Sequence, residues 1–290
     1  MGMMPDDLQS GHYAERGVAA PLPWADRRGT IKFIELAVPA PHLSRQQFHL
    51  YWQRHHSPHV MNCTAFSRFM RKYVTTHALA GAVDVVPAHY VVASPFEGVA
   101  EVWLDSLDEA IKWLSHPIYS ELIQPDEMRF IDQTGKVEIF IAREEYILRP
   151  AAGMPETGRV KVHAIYRRRD GLAPAQFHAQ LSQAAHAATR DPVFASRLRQ
   201  LVISHRLPDP QPDGLPIAPI DAVAELWFDS LADARDFFTS PEYVDTLGRA
   251  EMSLSAGGVA RSVVAMAHVV HDEYSFQPTV TQPHSFPWTG

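Results

Sequence analysis

Residues 99–119, VAEVWLDSLDEAIKWLSHPIY, align without a gap to residues 223–243, VAELWFDSLADARDFFTSPEY, and ten of the twenty-one positions are identical. An internal repeat of this kind constrains a chain more than any local pattern, because both copies must adopt one fold. A weaker match precedes it. Leu43 to His49 aligns with Leu172 to His178, Phe66 with Phe194, Arg71 with Arg199 and His77 with His205. Between the copies, Arg149 to Gly158 holds two prolines and two glycines and reads as a linker.

Within each copy the periodicity predicts strand, helix, strand, strand, helix, strand. Ile31 to Val38 and Val160 to Tyr166 are apolar and partly β-branched, as first strands should be. Ser44 with Gln47 three residues later is a capping-box start for a helix whose Phe48, Tyr51, Trp52 and His55 recur at helical spacing. Met70 to Ala78 and Val99 to Leu104 read as middle strands, with Ala222 to Phe228 the second copy's match for the latter. Ser106 and Ser230 cap second helices, and Lys136–Leu148 and Val259–Val270 close the copies. The order βαββαβ is the ferredoxin-like unit of the α+β class. Two tandem units, 30–148 and 158–273, are expected to pack sheet to sheet as an intramolecular pseudo-dimer, a dimeric α/β barrel within one chain. An N-terminal arm (1–29), a linker (149–157) and a C-terminal tail (274–290, with Phe286 and Trp288) complete the layout.

A net charge of −7 with only the short run Arg167-Arg168-Arg169 argues against nucleic acid as a partner, which calls for a clustered basic face. The single cysteine, Cys63, cannot form an internal disulfide and reads as a buried structural thiol. Without a secretory h-region or a membrane-length apolar run, a cytoplasmic protein is expected. Dinucleotide, Walker and Cys-x-x-Cys motifs do not occur, which weighs against nucleotide and flavin chemistry by the usual folds.

The segment Leu43 to Val60, with Phe48-x-x-x-Trp52, then His56, Pro58 and Val60, resembles the signature of the EthD family of dimeric α/β-barrel proteins. With the two Glu-x-Trp-x-Asp-Ser strands, the resemblance spans both copies. It implies a pocket between sheet and helices that takes small, mostly cyclic or aromatic molecules. The superfamily's activities include cofactor-free lyases, cyclases, isomerases and monooxygenases, some haem enzymes, and an accessory protein of ether degradation. Fold likeness by itself warrants no reaction.

Histidine is the natural place to seek acid–base chemistry near neutrality. The first copy offers Trp52-Gln53-Arg54-His55-His56-Ser57-Pro58 where the second has Leu181-Ser182-Gln183-Ala184-Ala185-His186-Ala187. One pocket therefore carries the polar groups and the other completes the fold. His56 is the leading catalytic candidate, with His55 in its place if the register slips by one. A metal site from His55 and His59 is weakened by Pro58, which should end the helix before His59. No metal or other cofactor is expected.

His89, in the loop between the middle strands, is the second catalytic candidate, because the resemblance places a second histidine there in muconolactone-isomerase-like members. Tyr90 beside it is a substrate-binding candidate. The counterpart loop, Pro208 to Pro216, has neither residue type. Arg71 and Tyr73 alternate to one face of their strand and would orient a polar substituent. Trp52 would wall the pocket. His77, His205, Glu101 and Glu225 are assigned to architecture. The sequence thus predicts a cofactor-independent lyase, dehydratase, isomerase or cyclase acting on a small apolar or aromatic substrate. The alternatives are a haem-dependent or cofactor-free oxygenase, or a non-catalytic binding module. A homodimer is a further expectation.

Overall fold

The structure is a computed structural model that describes residues 30–274 apart from 93–94, 135, 152, 208–217 and 259. The arm 1–29, the proline-rich loop 208–216 and the tail from 275, with Phe286 and Trp288, lie outside the described residues.

In the first unit the strands are β1 (Ile31–Ala37), β2 (Lys72–Ala78), β3 (Tyr90–Val92), β4 (Gly98–Leu104) and β5 (Glu138–Leu148). The second unit has β6 (Val160–Tyr166), β7 (Gln200–Arg206), β8 (Ala222–Phe228) and β9 (Ala260–Asp272). Helices α1 (Arg45–Tyr51), α2 (Ser57–Asn62), α3 (Thr64–Ser67), α4 (Leu107–Leu114) and α5 (Gln124–Glu127) cover the first unit. Helices α6 (Pro174–Ala188), α7 (Pro192–Ser196), α8 (Leu231–Phe238), α9 (Pro241–Val244) and α10 (Leu247–Leu254) cover the second. The capping box forms as expected: the Gln47 N–H donates to Ser44 Oγ at 3.3 Å and the Ser44 N–H to Gln47 Oε1 at 2.8 Å. Ser106 and Ser230 each accept a backbone N–H at 3.2 Å and start α4 and α8. No helix among the described residues is long and apolar enough to cross a membrane.

Each unit forms a four-stranded antiparallel sheet, β2-β4-β1-β5 and β7-β8-β6-β9. The two sheets also join edge to edge. β5 pairs β7 and β9 pairs β2, so eight strands close into an antiparallel barrel with β3 added in parallel to β9. The unusual length of the last strand in each unit makes this possible. Glu138–Ala142 of β5 pairs with β1, and Ala142–Leu148 then runs on to pair with β7. Closure leaves those strands no open edge to aggregate through.

Strand alternation sends one residue set into the lumen and the next toward the helices. Lys32, opposite Trp103, enters the lumen, and Lys161, opposite Trp227, does the same in the second unit. There the repeated residues meet. The Lys161 ammonium lies 2.7 Å from Glu101 Oε1 and 2.7 Å from Glu225 Oε2, and Lys32 lies 2.6 Å from Glu101 and also pairs with Glu225. Lys32 sits 4.3 Å from the Trp103 ring centre and Lys161 4.6 Å from that of Trp227. Burial opposes the Lys32 charge, but Glu101, Glu225 and Glu144 hold its pKa above the ordinary lysine value. Glu101 is likewise penalised by burial, yet Lys161 and Lys32 keep it well below the carboxylate range. The architectural role expected for Glu101 and Glu225 is therefore a crossed ion quartet at the interface of the two units.

Outside the barrel, each helix layer packs on its own sheet. Phe48, Trp52, Phe66, Trp113 and Phe130 form the first core, and Phe177, Leu181, Phe194, Phe237 and Tyr243 the second.

Candidate functional site

The two helix layers differ where the copies differ in sequence. The second unit's first helix, α6, is a regular α-helix of fifteen residues. Between α1 and α2 of the first unit, Trp52–His56 forms a π-helical turn, closed by the Ser57 N–H donating to Trp52 O. From Phe48 to Phe66 the chain is one residue longer than from Phe177 to Phe194, and a π-turn is how a helix absorbs one extra residue. Such turns recur at functional sites. Pro58 then stands in the first turn of α2, where its missing N–H is tolerated. The helix therefore continues to Asn62 rather than ending before His59, which corrects the sequence expectation.

The π-turn directs Trp52 and His56 inward while His55 stays exposed beside Tyr51. Trp52 lies across the sheet above Gly98, where a Cβ would stand 2.6 Å from the indole and 2.5 Å from Thr76 O. Only glycine allows that approach. A second π-turn, Tyr119–Ile123, leads into α5 and brings Tyr119 and Ile123 to the same place.

Together they enclose a cavity of about 90 Å³ between sheet and helices. Its walls are mainly apolar and aromatic, with Phe33, Trp52, Phe66, Trp113 and Phe130 among them. Its polar groups are His56, Glu35, Glu127, Tyr73 and Tyr119. No lysine or arginine lines it among the described residues.

His56 Nδ1 is 2.9 Å from Asp126 Oδ2, and Asp126 Oδ1 accepts from the Tyr51 hydroxyl at 2.6 Å. Burial works against the Asp126 charge, but the hydrogen bonds from His56 and Tyr51 keep its pKa below the usual value. Asp126 is therefore an acceptor, so Nδ1 of neutral His56 carries the proton and Nε2 keeps its lone pair. The two glutamates behave differently. Burial, reinforced by the neighbouring Glu127 charge, pushes Glu35 up to about 8. Burial raises Glu127 too, and it accepts a hydrogen bond from the Tyr119 hydroxyl at 3.1 Å. Tyr73, whose hydroxyl accepts from Trp52 Nε1 at 3.3 Å, is pushed up to about 12 by burial and stays a neutral phenol.

Among the residues expected from sequence, His56, Trp52 and Tyr73 meet at this cavity, and four, exposed His55 with Arg71, His89 and Tyr90, do not. Arg71 precedes β2 and faces outward, where its Nε donates to Asp105 at 2.9 Å and Nη1 to Glu273 at 3.4 Å. Its repeat partner Arg199 pairs with Asp229 in the same way. Arg71 thus closes a surface ion pair and cannot orient a substrate here. His89 and Tyr90 cross to the second unit because β3 pairs with β9. The His89 Nε2 lies 3.2 Å from Glu251, and the Tyr90 hydroxyl donates to Glu251 at 2.9 Å. Glu35, Glu127, Asp126 and Tyr119 were not singled out as site residues, although Tyr119 stood in the repeat.

The EthD domain matches residues 40–134 and 169–255, more than half of the chain and both units. The chain belongs to the EthD family. Among solved structures, the chain is similar to a candidate monooxygenase from Lactobacillus acidophilus NCFM (9% identity, 84% of this chain and 96% of that one, TM-score 0.49). An anthrone oxidase-like protein is 10% identical over 86% of this chain and 97% of that one, with a TM-score of 0.51. A candidate monooxygenase from Fusobacterium nucleatum subsp. nucleatum is 2% identical over 83% and 93%, with a TM-score of 0.50. No curated protein matches the chain. At such low identities the likeness is one of fold and shows no activity.

Some enzymes of the superfamily carry haem. The cavity does not fit one: about 90 Å³ lies well below the roughly 300–1,000 Å³ of sites that take drug-sized ligands, and a porphyrin is larger still.

Proposed function

We propose that the first unit's cavity is the active site of a cofactor-independent enzyme that moves protons on a small, neutral, apolar or aromatic substrate. The reaction falls in the lyase or dehydratase, isomerase or cyclase class. The observation that carries this reading is a pair of opposed proton carriers on one apolar cavity. Glu35, held up to about 8, keeps its proton at neutral pH, while His56 is oriented by Asp126 with Nε2 free to accept one. A carboxyl that holds its proton beside an imidazole nitrogen placed to accept one supplies an acid and a base to the same cavity.

In this reading His56 Nε2 takes a proton from a carbon or hydroxyl of the substrate, and Glu35 gives its proton to the oxygen that gains charge or leaves. The electron pair of the broken bond moves within the substrate, so isomerisation or loss of water is complete without an oxidant. A carboxylate or phosphate substrate would meet two acidic side chains and no cation, at a large desolvation cost.

Turnover of single-ring ketones, enols and phenols by the purified protein tests this. His56→Ala should lower kcat/KM by about two to four powers of ten. Activity should also fall as pH rises through about 8, where Glu35 loses its proton. Unchanged turnover in H56A would rule out the assignment. The name of the anthrone oxidase-like structure directs attention to oxygen, since a carbanion made by the same base could react with it. Oxygen uptake in step with turnover would place the enzyme among the cofactor-free oxygenases.

A further inference from the structure

The cleft of the second unit is already filled, and its filling describes what the first cleft takes. Tyr119 and Glu127 have counterparts eight residues apart in Tyr243 and Glu251, and each tyrosine donates to its glutamate, at 3.1 Å and 2.6 Å. In the second unit the other carboxylate oxygen, Glu251 Oε1, accepts from Tyr90 at 2.9 Å and from Tyr166 at 2.6 Å. The counterpart of Tyr166 is Ala37, which has no hydroxyl to offer. Among the described residues, Glu127 receives only the Tyr119 bond.

The Tyr90 ring is buried and lies 5.6 Å from Phe238, whose counterpart Leu114 lines the open cavity. The chain therefore inserts a phenol from its own first unit beside the counterparts of Leu114, Tyr119 and Glu127. Where that phenol would lie in the first unit, there is a cavity of about 90 Å³ walled by aromatic rings, and one carboxylate oxygen lacks a donor.

We propose that the first unit's cavity binds a neutral hydroxylated aromatic ring, whose hydroxyl donates to Glu127 as that of Tyr90 donates to Glu251. The inference rests on reading this cavity as the substrate site, and it adds the substrate class and its anchor. Aromatic walls supply contact area, and the carboxylate selects the hydroxyl, because an acceptor left unpaired in a dry site rejects an analogue without it. It also assigns Glu127 to substrate positioning, leaving proton transfer to His56 and Glu35.

The probe is p-cresol, the side chain of tyrosine itself, compared with p-xylene, in which a methyl group replaces the hydroxyl. Calorimetric titration of the full chain at pH 6.5 should show one p-cresol per chain, bound roughly tenfold or more tighter than p-xylene. Glu127→Leu should abolish that preference while p-xylene still binds. Tyr90→Gly should open the second cleft, so that two p-cresol molecules bind and the thermal midpoint lost by the variant is restored. Should E127L fail to fold, the wild-type ratio and the Y90G stoichiometry decide independently. Equal affinity for the two probes would overturn the hydroxyl anchor and leave an apolar site. Binding of neither to the wild-type chain would overturn the cavity as a substrate site as well.

Discussion

Replacing Glu35 by glutamine should change how stability depends on pH in a way that few single substitutions would. The carboxyl titrates at an ordinary 4.5 in the unfolded chain and at about 8 in the fold. The folded state thus binds the proton more tightly over that window, and stability falls as pH rises from about 4.5 to about 8, where ionisation forces a charge into the cavity. At 1.36 kcal/mol for each pH unit of difference, the upper bound is about 5 kcal/mol. Glu35 is half-buried, so water screens part of this, and a loss of about 2–4 kcal/mol is expected. Glutamine is neutral throughout. Urea unfolding of both proteins at pH 5 and pH 8.5 isolates the effect, since the other titrating groups are common to both and only neighbouring Glu127 feels the change directly. The two should be nearly equally stable at pH 5, with E35Q the more stable by about 2–4 kcal/mol at pH 8.5. Parallel stability profiles would show that Glu35 ionises normally, and the assignment of the general acid would fall with it.

Two further substitutions probe the scaffold. Lys161→Met strands part of the negative charge of Glu101 and Glu225 in the lumen, and chemical denaturation should register a loss of about 3–5 kcal/mol, as when one partner of a buried pair is removed. Gly98→Ala places a methyl against the Trp52 indole and the Thr76 carbonyl, and should cost about 1–3 kcal/mol while altering Trp52 fluorescence.

The fold was largely legible because the repeat restricts it so strongly. Identical Glu-x-Trp-x-Asp-Ser strands, helix caps at Ser106 and Ser230 and apolar alternation in β1 and β6 all report local geometry, and each appears where expected. The barrel itself was expected, but the edge pairing that closes it was less visible, since whether β5 outruns its own sheet depends on a partner some sixty residues away in sequence. The candidate site was half legible. His56 and Trp52 were accessible through the contrast between copies and Tyr73 through strand alternation, but the π-turn that sends His56 inward and His55 outward shows only as one extra residue between Phe48 and Phe66. Glu127 and Glu251 align, yet dissimilar residues separate them from the matched tyrosines. Glu35 carries no signal of its own in the sequence; its meaning comes from the apolar wall and from Glu127, both supplied by distant parts of the chain. His89 and Tyr90 were misplaced because a loop was assumed to serve its own unit, whereas β3 docks on the other one.

The edge-to-edge joining of two units within one polypeptide has a consequence for change by mutation. In a barrel built from two identical subunits, every substitution is made twice, and a residue that improves one pocket is imposed on the other. Here one half carries an extra helical residue, Glu35 and His56, while the cleft of the other receives a tyrosine from the first. Linkage also fixes the ratio of the two halves at one to one at any protein concentration, so dilution cannot separate them.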